Sequence, residues 1–329
     1  MTMSIKPKRL LGSGKFECPL CGRLFADRGE AKKCAINCAD KVDLSLTEQE
    51  TKVLLISDLH CGSYAGLMPP EVKLTDTPRG AVLTHTSSNA QAMLYDAWCE
   101  MVDDMSDYKP DLVIVNGDIV DGMNQADGGV HTITNDMYAQ ADMAADLLSM
   151  IPCNCFLITI GSGYHSRMGR NGAPIEPYIA DALTKAIQSK GRNPNVTFSS
   201  EAIVKLNGKR FHVTHTVGHT NNYQYRSTAL MRDMTNMLLN WPTHKFGHVD
   251  AIIRGHVHFF INVSMADIDG IITPCWKLRD SFCTKIGLNF QPDIGYVTMD
   301  WERGGDIRVN KRLFHLPDTA CRTVDYDGE

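Results

Sequence analysis

Five short apolar runs, spaced along residues 52–254, restrict this chain more than any other feature. They read KVLLIS (52–57), DLVIV (111–115), CFLITI (155–160), RFHVTH (210–215) and DAIIR (250–254). Between them lie NAQAMLYDAWCEMVDDM, NDMYAQADMAADLLSMI, EPYIADALTKAIQS and RSTALMRDMTNMLLNW, each with apolar residues at helical spacing. Strand–helix alternation of this kind predicts an α/β sheet with helices on both faces. After residue 258 the pattern turns strand-rich, in FFINVSMA, GIITPCW, IGYVTMDWE and DIRVNKRLF. Those segments predict a second sheet of mostly antiparallel strands.

The 329 residues are 43% hydrophobic and 22% charged, the composition of a water-soluble chain with a substantial core. A net charge of −5 excludes a global basic field of the kind that marks many nucleic-acid-binding proteins, and leaves only a local basic groove for that purpose. The longest apolar runs are far too short to span a bilayer, and MTMSIKPKRLLGSGKFEC has no apolar signal core. The expectation is a cytoplasmic protein without a membrane partner.

Every one of the five runs leads into potential metal-binding chemistry. SDLHCGS supplies Asp58 and His60, NGDIVDG supplies Asp118 and Asp121, and GSGYHSR supplies His165. The fourth run ends in His215, with His219 beyond it, and the fifth leads to His256 and His258 in GHVH. Open α/β sheets place their sites outside the carboxyl ends of the strands, so residues far apart in sequence can meet there. Carboxylate and imidazole together suit Mn²⁺, Fe²⁺, Zn²⁺ or Ni²⁺. Two such ions about 3.5–4 Å apart can clamp a phosphate and activate a water.

In these motifs the chain resembles the calcineurin-like metallophosphoesterases, whose pattern is Asp-x-His, Gly-Asp-x-x-Asp, Gly-Asn-His, a strand-end His and Gly-His-x-His. The resemblance runs from about residue 52 to at least 258. It implies a two-sheet α/β/β/α sandwich and an enzyme that hydrolyses phosphoesters with a hydroxide bridging two divalent ions. It also implies that Asp58, His60 and His258 hold one ion, that Asp118 bridges, and that His215 and His256 hold the other. His165 takes the family's general-acid or phosphate-contacting position. One motif departs: Gly163-Tyr164-His165 stands for Gly-Asn-His, which puts Tyr164 where an asparagine ligand belongs, with Ser162 or a rerouted His165 as substitutes. Asp121 reads as a supporting or turn residue, and Asn116 as a turn former. His212 is expected to point away from His215.

The first 45 residues form a separate unit, with the phosphoesterase domain over 46–329. The cysteines are odd in number, eleven, which argues against a disulfide framework. Four of them, Cys18, Cys21, Cys34 and Cys38, follow Cys-x₂-Cys-x₁₂-Cys-x₃-Cys. Tetrahedral zinc prefers such a set, and the segment resembles a ββα zinc finger with both histidines replaced by cysteine. The expected cofactors are therefore two catalytic divalent ions and one structural zinc.

For the substrate, GDIVDGMN lacks the arginine of the family's protein phosphatases, and SDLHCGS resembles the start of its DNA-repair nucleases. The leading expectation is a phosphodiesterase acting on DNA, with Arg167 and Arg170 of the basic loop GYHSRMGRNG as substrate contacts and the finger free to touch phosphates or protein. The alternatives are a small-molecule or cyclic-nucleotide phosphodiesterase, and a non-catalytic nucleic-acid or protein-binding module that kept its metals. The insertion over 66–89 is expected to form a loop that gates the site. By resemblance, the source is a bacterium or a bacteriophage.

Overall fold

The alternation along strand TKVLLI explains how the layers stack. Val53 and Leu55 face one apolar cluster while Leu54 and Ile56 face another, as a period of two requires. A strand buried on both faces reads as a continuous apolar run, which is what the sequence shows.

The computed structural model describes residues 8–9, 16–17, 24–27, 30, 50–76, 80–123, 129–168, 172–220, 222–240, 247–280, 283 and 290–316. The chain divides into a unit of residues 1–49 and a unit of residues 50–329. In the first, strands β1 (Lys8–Arg9), β2 (Phe16–Glu17) and β3 (Leu24–Phe25) pair antiparallel, with Phe16 opposite Phe25 in register. Cys18, Cys21, Cys34 and Cys38 lie outside the described residues, as does Arg170.

In the second unit, a six-stranded sheet contains the parallel strands β4 (Thr51–Ile56), β7 (Leu112–Asn116), β8 (Cys155–Thr159) and β9 (Asn195–Ser199). Strands β15 (Ile294–Trp301) and β16 (Arg308–Phe314) extend it beyond β4, both antiparallel to their neighbours. A five-stranded sheet has the order β10 (Ala202–Leu206), β11 (Lys209–Val213), β12 (Ala251–Arg254), β14 (Ile268–Ile272), β13 (Ile261–Met265). Its three central strands are parallel and its two edges antiparallel.

Val53, Leu55, Ile114, Phe211, Val213, Ile253, Val297 and Trp301 fill the space between the sheets. Helices α1 (Asn89–Tyr108), α2 (Met137–Ser149) and α4 (Glu176–Ser189) cover the outer face of the six-stranded sheet through Trp98, Met101, Leu148 and Leu183. Helix α5 (Thr228–Asn240) covers the other sheet through Leu230 and Met234 against Ile252 and Ile268. The result is the expected α/β/β/α sandwich. A capping box between Ser88 and Gln91 starts α1, and the Asp136 side chain caps α2.

Two expectations about the sheets change. The last two strands join the first sheet rather than the second. Every residue of β15 is buried, so it needs partners on both edges and cover on both faces, which the flank of β4 supplies. Conversely, the fourth and fifth apolar runs lie in the second sheet. The 66–89 insertion, expected as a loop, forms a two-stranded hairpin of β5 (Glu71–Asp76) and β6 (Ala81–Thr86), whose alternating sequences pair residue for residue. No described helix is long and apolar enough to cross a membrane.

Candidate metal centre

The backbone turns sharply just beyond β4, β7 and β12, and those turns carry the candidate ligands. Asp58, His60, Asp118, His256 and His258 all have φ between 44° and 75°. They are five of the eight non-glycine residues with positive φ among the described residues. Such conformations cost of order 1–3 kcal/mol each and persist only where the surroundings over-determine them. Here the bonds Asp58 N–Gly117 O (3.1 Å), His60 N–Asp118 O (3.0 Å) and Gly255 N–His215 O (2.8 Å) lock the turns to one another. Gly255 permits this closeness, because a Cβ there would strike the Ser57 hydroxyl.

The turns bring together three groups of donor atoms, each within 4.8 Å: Asp58, His60 and His258; Asp118, His215 and His256; and His60, Asp118 and His165. In the first group, His60 Nε2 and His258 Nε2 are 3.2 Å apart, and Asp58 Oδ1 is 3.3 Å from His258 Nε2 and 3.8 Å from His60 Nε2. In the second, Asp118 Oδ2 is 3.0 Å from His215 Nε2 and 3.8 Å from His256 Nδ1. A tetrahedral ion with bonds of about 2.0–2.1 Å holds its ligand atoms about 3.3–3.4 Å apart, a length that these separations of 3.0–3.8 Å bracket. The two histidines of GHVH, which an extended strand would aim at one face, go to different groups.

The polar accounting around these atoms also fits bound cations. Asp58 Oδ1, His215 Nε2 and His256 Nδ1 are buried and have no hydrogen-bond partner among the described residues. The opposite atoms of Asp58 and His215 are satisfied. Asp58 Oδ2 accepts from the Ser57 hydroxyl and from His256 N. His215 Nδ1 lies 2.6 Å from Asn116 O, and a carbonyl can only accept, so Nδ1 carries a proton and Nε2 is the nitrogen turned toward Asp118. His60 Nδ1 is fixed in the same way by Asp121 Oδ1 at 3.0 Å. Burial alone would raise the carboxyls of Asp58 and Asp118, but His215 and its neighbouring imidazoles outweigh it and hold both well below the usual range. Burial alone would lower His215, yet Asp118 and Asp58 keep it up at about 9.

The departure at Tyr164 resolves differently from the motif alignment. Tyr164 is 79% exposed, whereas Ser162 reaches the position beside Asp118. Ser162 N donates to Asp118 Oδ1 at 2.6 Å and its hydroxyl lies 3.2 Å from Asp118 Oδ2. The one-turn helix α3 (Gly163–Ser166) follows directly and carries Tyr164 outward. Glu176, buried at the start of α4, accepts from Gly161 N and the Ser166 hydroxyl and so pins this loop at both ends. Gly161 is required there, because a Cβ would collide with Asp118 Oδ1.

His165 lies at the centre, its ring 4.5 Å from that of His60 and its Nδ1 bonded to Asp121 O at 2.7 Å. Burial and the neighbouring His60 push its pKa down to about 4. Arg167 is exposed on the same loop, and His219 is exposed beyond His215. His212 points away from the centre and bonds to buried Arg254 and to exposed Glu201.

Sequence reasoning gave Asn116 only a turn role and missed Lys277 altogether. Asn116 is buried, orients His215 through its carbonyl, and accepts from the Ser57 hydroxyl at the same atom. Lys277 Nζ sits 3.2 Å from Asp121 Oδ1 and 3.1 Å from Asp280 Oδ2. Its partner Asp121 is 156 residues away in sequence, so no local pattern could reveal the pair.

Residues 51–159 match the family model described as calcineurin-like phosphoesterase. No curated protein matches the chain. Among solved structures, a novel archaeal phosphodiesterase aligns over 80% of this chain and 100% of its own at 13% identity, with a TM-score of 0.40. Wild-type Vps29 of Entamoeba histolytica in complex with Zn²⁺ aligns over 80% and 100% at 10% identity, with a TM-score of 0.37. A predicted phosphoesterase of Streptococcus pneumoniae aligns over 81% and 99% at 10% identity, with a TM-score of 0.32. By its motifs and the match over residues 51–159, this chain is similar over that stretch to the calcineurin-like phosphoesterases.

Proposed function

We propose that this chain is a metal-dependent phosphodiesterase whose substrate is DNA. The observation that carries the reading is the pair of donor sets at tetrahedral edge lengths, tied together through Asp118, with unpartnered buried atoms on both sides. Asp58, His60 and His258 would hold one divalent ion. His215, His256 and the Ser162 hydroxyl would hold the other, with Asp118 between the two. Once bound, such ions neutralise phosphate charge and activate water at neutral pH.

The chain's own groups prepare that chemistry. Asp121 and Asn116 fix the tautomers of His60 and His215, so no ligand must reorient on binding. Lys277 holds Asp121 in place by an ion pair. His165, anchored through Nδ1 on Asp121 O, leaves Nε2 facing the phosphate, whose negative charge would raise the imidazole's pKa and let Nε2 carry a proton for the ester oxygen. Arg167 and Arg170, on the loop beyond His165, would meet the substrate from solution. The four N-terminal cysteines would bind a structural zinc in a separate unit of residues 1–45.

Metal analysis and a hydrolysis panel test this reading. Wild type and Asp118→Ala would be loaded with Mn²⁺, Zn²⁺, Fe²⁺ or Ni²⁺. Each would then be offered bis(p-nitrophenyl) phosphate, linear DNA, circular DNA and cyclic nucleotides. Cleavage of DNA that Asp118→Ala abolishes supports the proposal. Cleavage of cyclic nucleotides alone would assign a small-molecule phosphodiesterase, and two bound ions without hydrolysis would assign a binding module. A Cys18→Ser, Cys21→Ser double variant should lose one zinc per chain and keep the catalytic ions.

A further inference from the structure

The distribution of exposed aromatic rings bears on which form of DNA the centre would accept. Among the described residues four tyrosines are more than half exposed: Tyr64 at 51%, Tyr164 at 79%, Tyr223 at 75% and Tyr225 at 54%. All four lie on the segments that follow the carboxyl ends of β4, β8 and β11, the same strand ends that deliver candidate ligands. Tyr164 immediately precedes His165, and Tyr64 lies four residues beyond His60. Single exposed apolar residues scattered over a surface need no explanation, but confinement of the most exposed rings to one end of the fold does.

One of these rings is mounted rigidly. The Arg226 guanidinium lies 4.1 Å from the Tyr223 ring, 4.5 Å from Phe259 and 4.2 Å from Phe290. Phe259 is buried and directly follows His258. A layered stack therefore rises from beside a candidate ligand, through a delocalised cation, to an open tyrosine face. Cation–π and ring stacking fix Tyr223 without covering it.

We infer that these tyrosines form a stacking rim for unpaired bases, and that the centre takes single-stranded DNA in preference to duplex. The inference rests on the phosphodiesterase reading above. Two physical arguments separate the two forms of DNA. Bases in a duplex are already stacked on one another, so an exposed ring gains a partner only from an unpaired base. Duplex affinity instead comes chiefly from neutralising phosphates with Lys and Arg. This chain has 33 Lys and Arg against 38 Asp and Glu, and its centre is itself rich in carboxylates. Beside the bound ions, Arg167 and Arg170, stacking adds an attraction that only unpaired bases can use.

Fluorescence anisotropy of the metal-loaded protein with a labelled short phosphorothioate oligonucleotide, whose backbone resists hydrolysis, reads this directly. Wild type should bind the single strand at least ten-fold more tightly than the same sequence in a duplex. Tyr164→Ala and Tyr223→Ala should each raise the single-strand Kd about ten-fold, within the range expected for losing one stacked base. Tyr164→Phe and Tyr223→Phe should restore it, since a phenyl ring stacks without the hydroxyl. Unchanged binding by the double alanine variant, equal or tighter binding of the duplex, or no binding of the single strand would each overturn the inference. Binding as expected, together with failure of metal-loaded wild type to cut any phosphodiester, would instead overturn the phosphodiesterase reading.

Discussion

Ser162 and Asp118 are joined twice, through the Ser162 backbone nitrogen at 2.6 Å and its hydroxyl at 3.2 Å. This contact places the loop after β8 against the carboxylate that two of the three donor groups share. It also moves the interest of that loop from Tyr164 to Ser162. Ser162→Ala should weaken retention of one ion by about 10-fold to 100-fold, while Tyr164→Ala leaves the metal content at its wild-type value. Metal stoichiometry after dialysis against a graded chelator distinguishes them. Equal losses in the two variants would contradict the assignment.

Asp118 is shared by two of the three donor groups. Asp118→Ala should lower turnover by about a thousand-fold or more, the loss expected when several kcal/mol of charge stabilisation disappear. The same variant should release at least one of the two ions, measured by elemental analysis on the purified protein.

We propose that His165 touches the substrate rather than holding an ion. His165→Ala should reduce kcat by about 10²–10⁴-fold while both ions remain bound. Loss of an ion from this variant would make His165 a ligand through the group it forms with His60 and Asp118. Full turnover would remove it from the chemistry.

Lys277 and Asp121 form a buried ion pair at 3.2 Å, with side chains 11% and 0% exposed. Removing the lysine leaves a buried carboxylate uncompensated, so Lys277→Met should destabilise the metal-free protein by about 3–5 kcal/mol. Urea unfolding monitored by tryptophan fluorescence measures it. A loss under about 1 kcal/mol would mean that water or Asp280 movement compensates, well below the range for a broken buried pair.

Trp301 closes the space between the sheets, its ring 5.2 Å from that of Phe211. Trp301→Ala should cost about 3–5 kcal/mol, as large-to-small changes in a close-packed core do. The same unfolding experiment reports it, and a small effect would argue against β15 lying between β16 and β4.

The elements themselves were legible because their signals are local. Apolar runs such as KVLLIS and DLVIV announce strands buried on both faces, and helical spacing in EPYIADALTKAIQS announces an amphipathic helix. The candidate ligands were legible for a related reason: Asp58, His60, Asp118, His215, His256 and His258 each sit within a few residues of a strand end. What could not be read was which strands share a sheet. A strand's pattern records that it is buried, not by which neighbour, so β15 and β16 looked like members of the wrong sheet. Nor could the sequence choose between Ser162 and Tyr164. That choice depends on the one-turn helix after Ser162 and on Glu176 pinning its loop, contacts that exist only once α4 has packed. The pairing of Lys277 with Asp121 is of the same kind. By itself, then, the sequence determined the kinds of element and the donor types at their ends. Tertiary structure decided which donors meet, because distances of about 3 Å between residues so far apart along the chain are set by packing and not by any local rule.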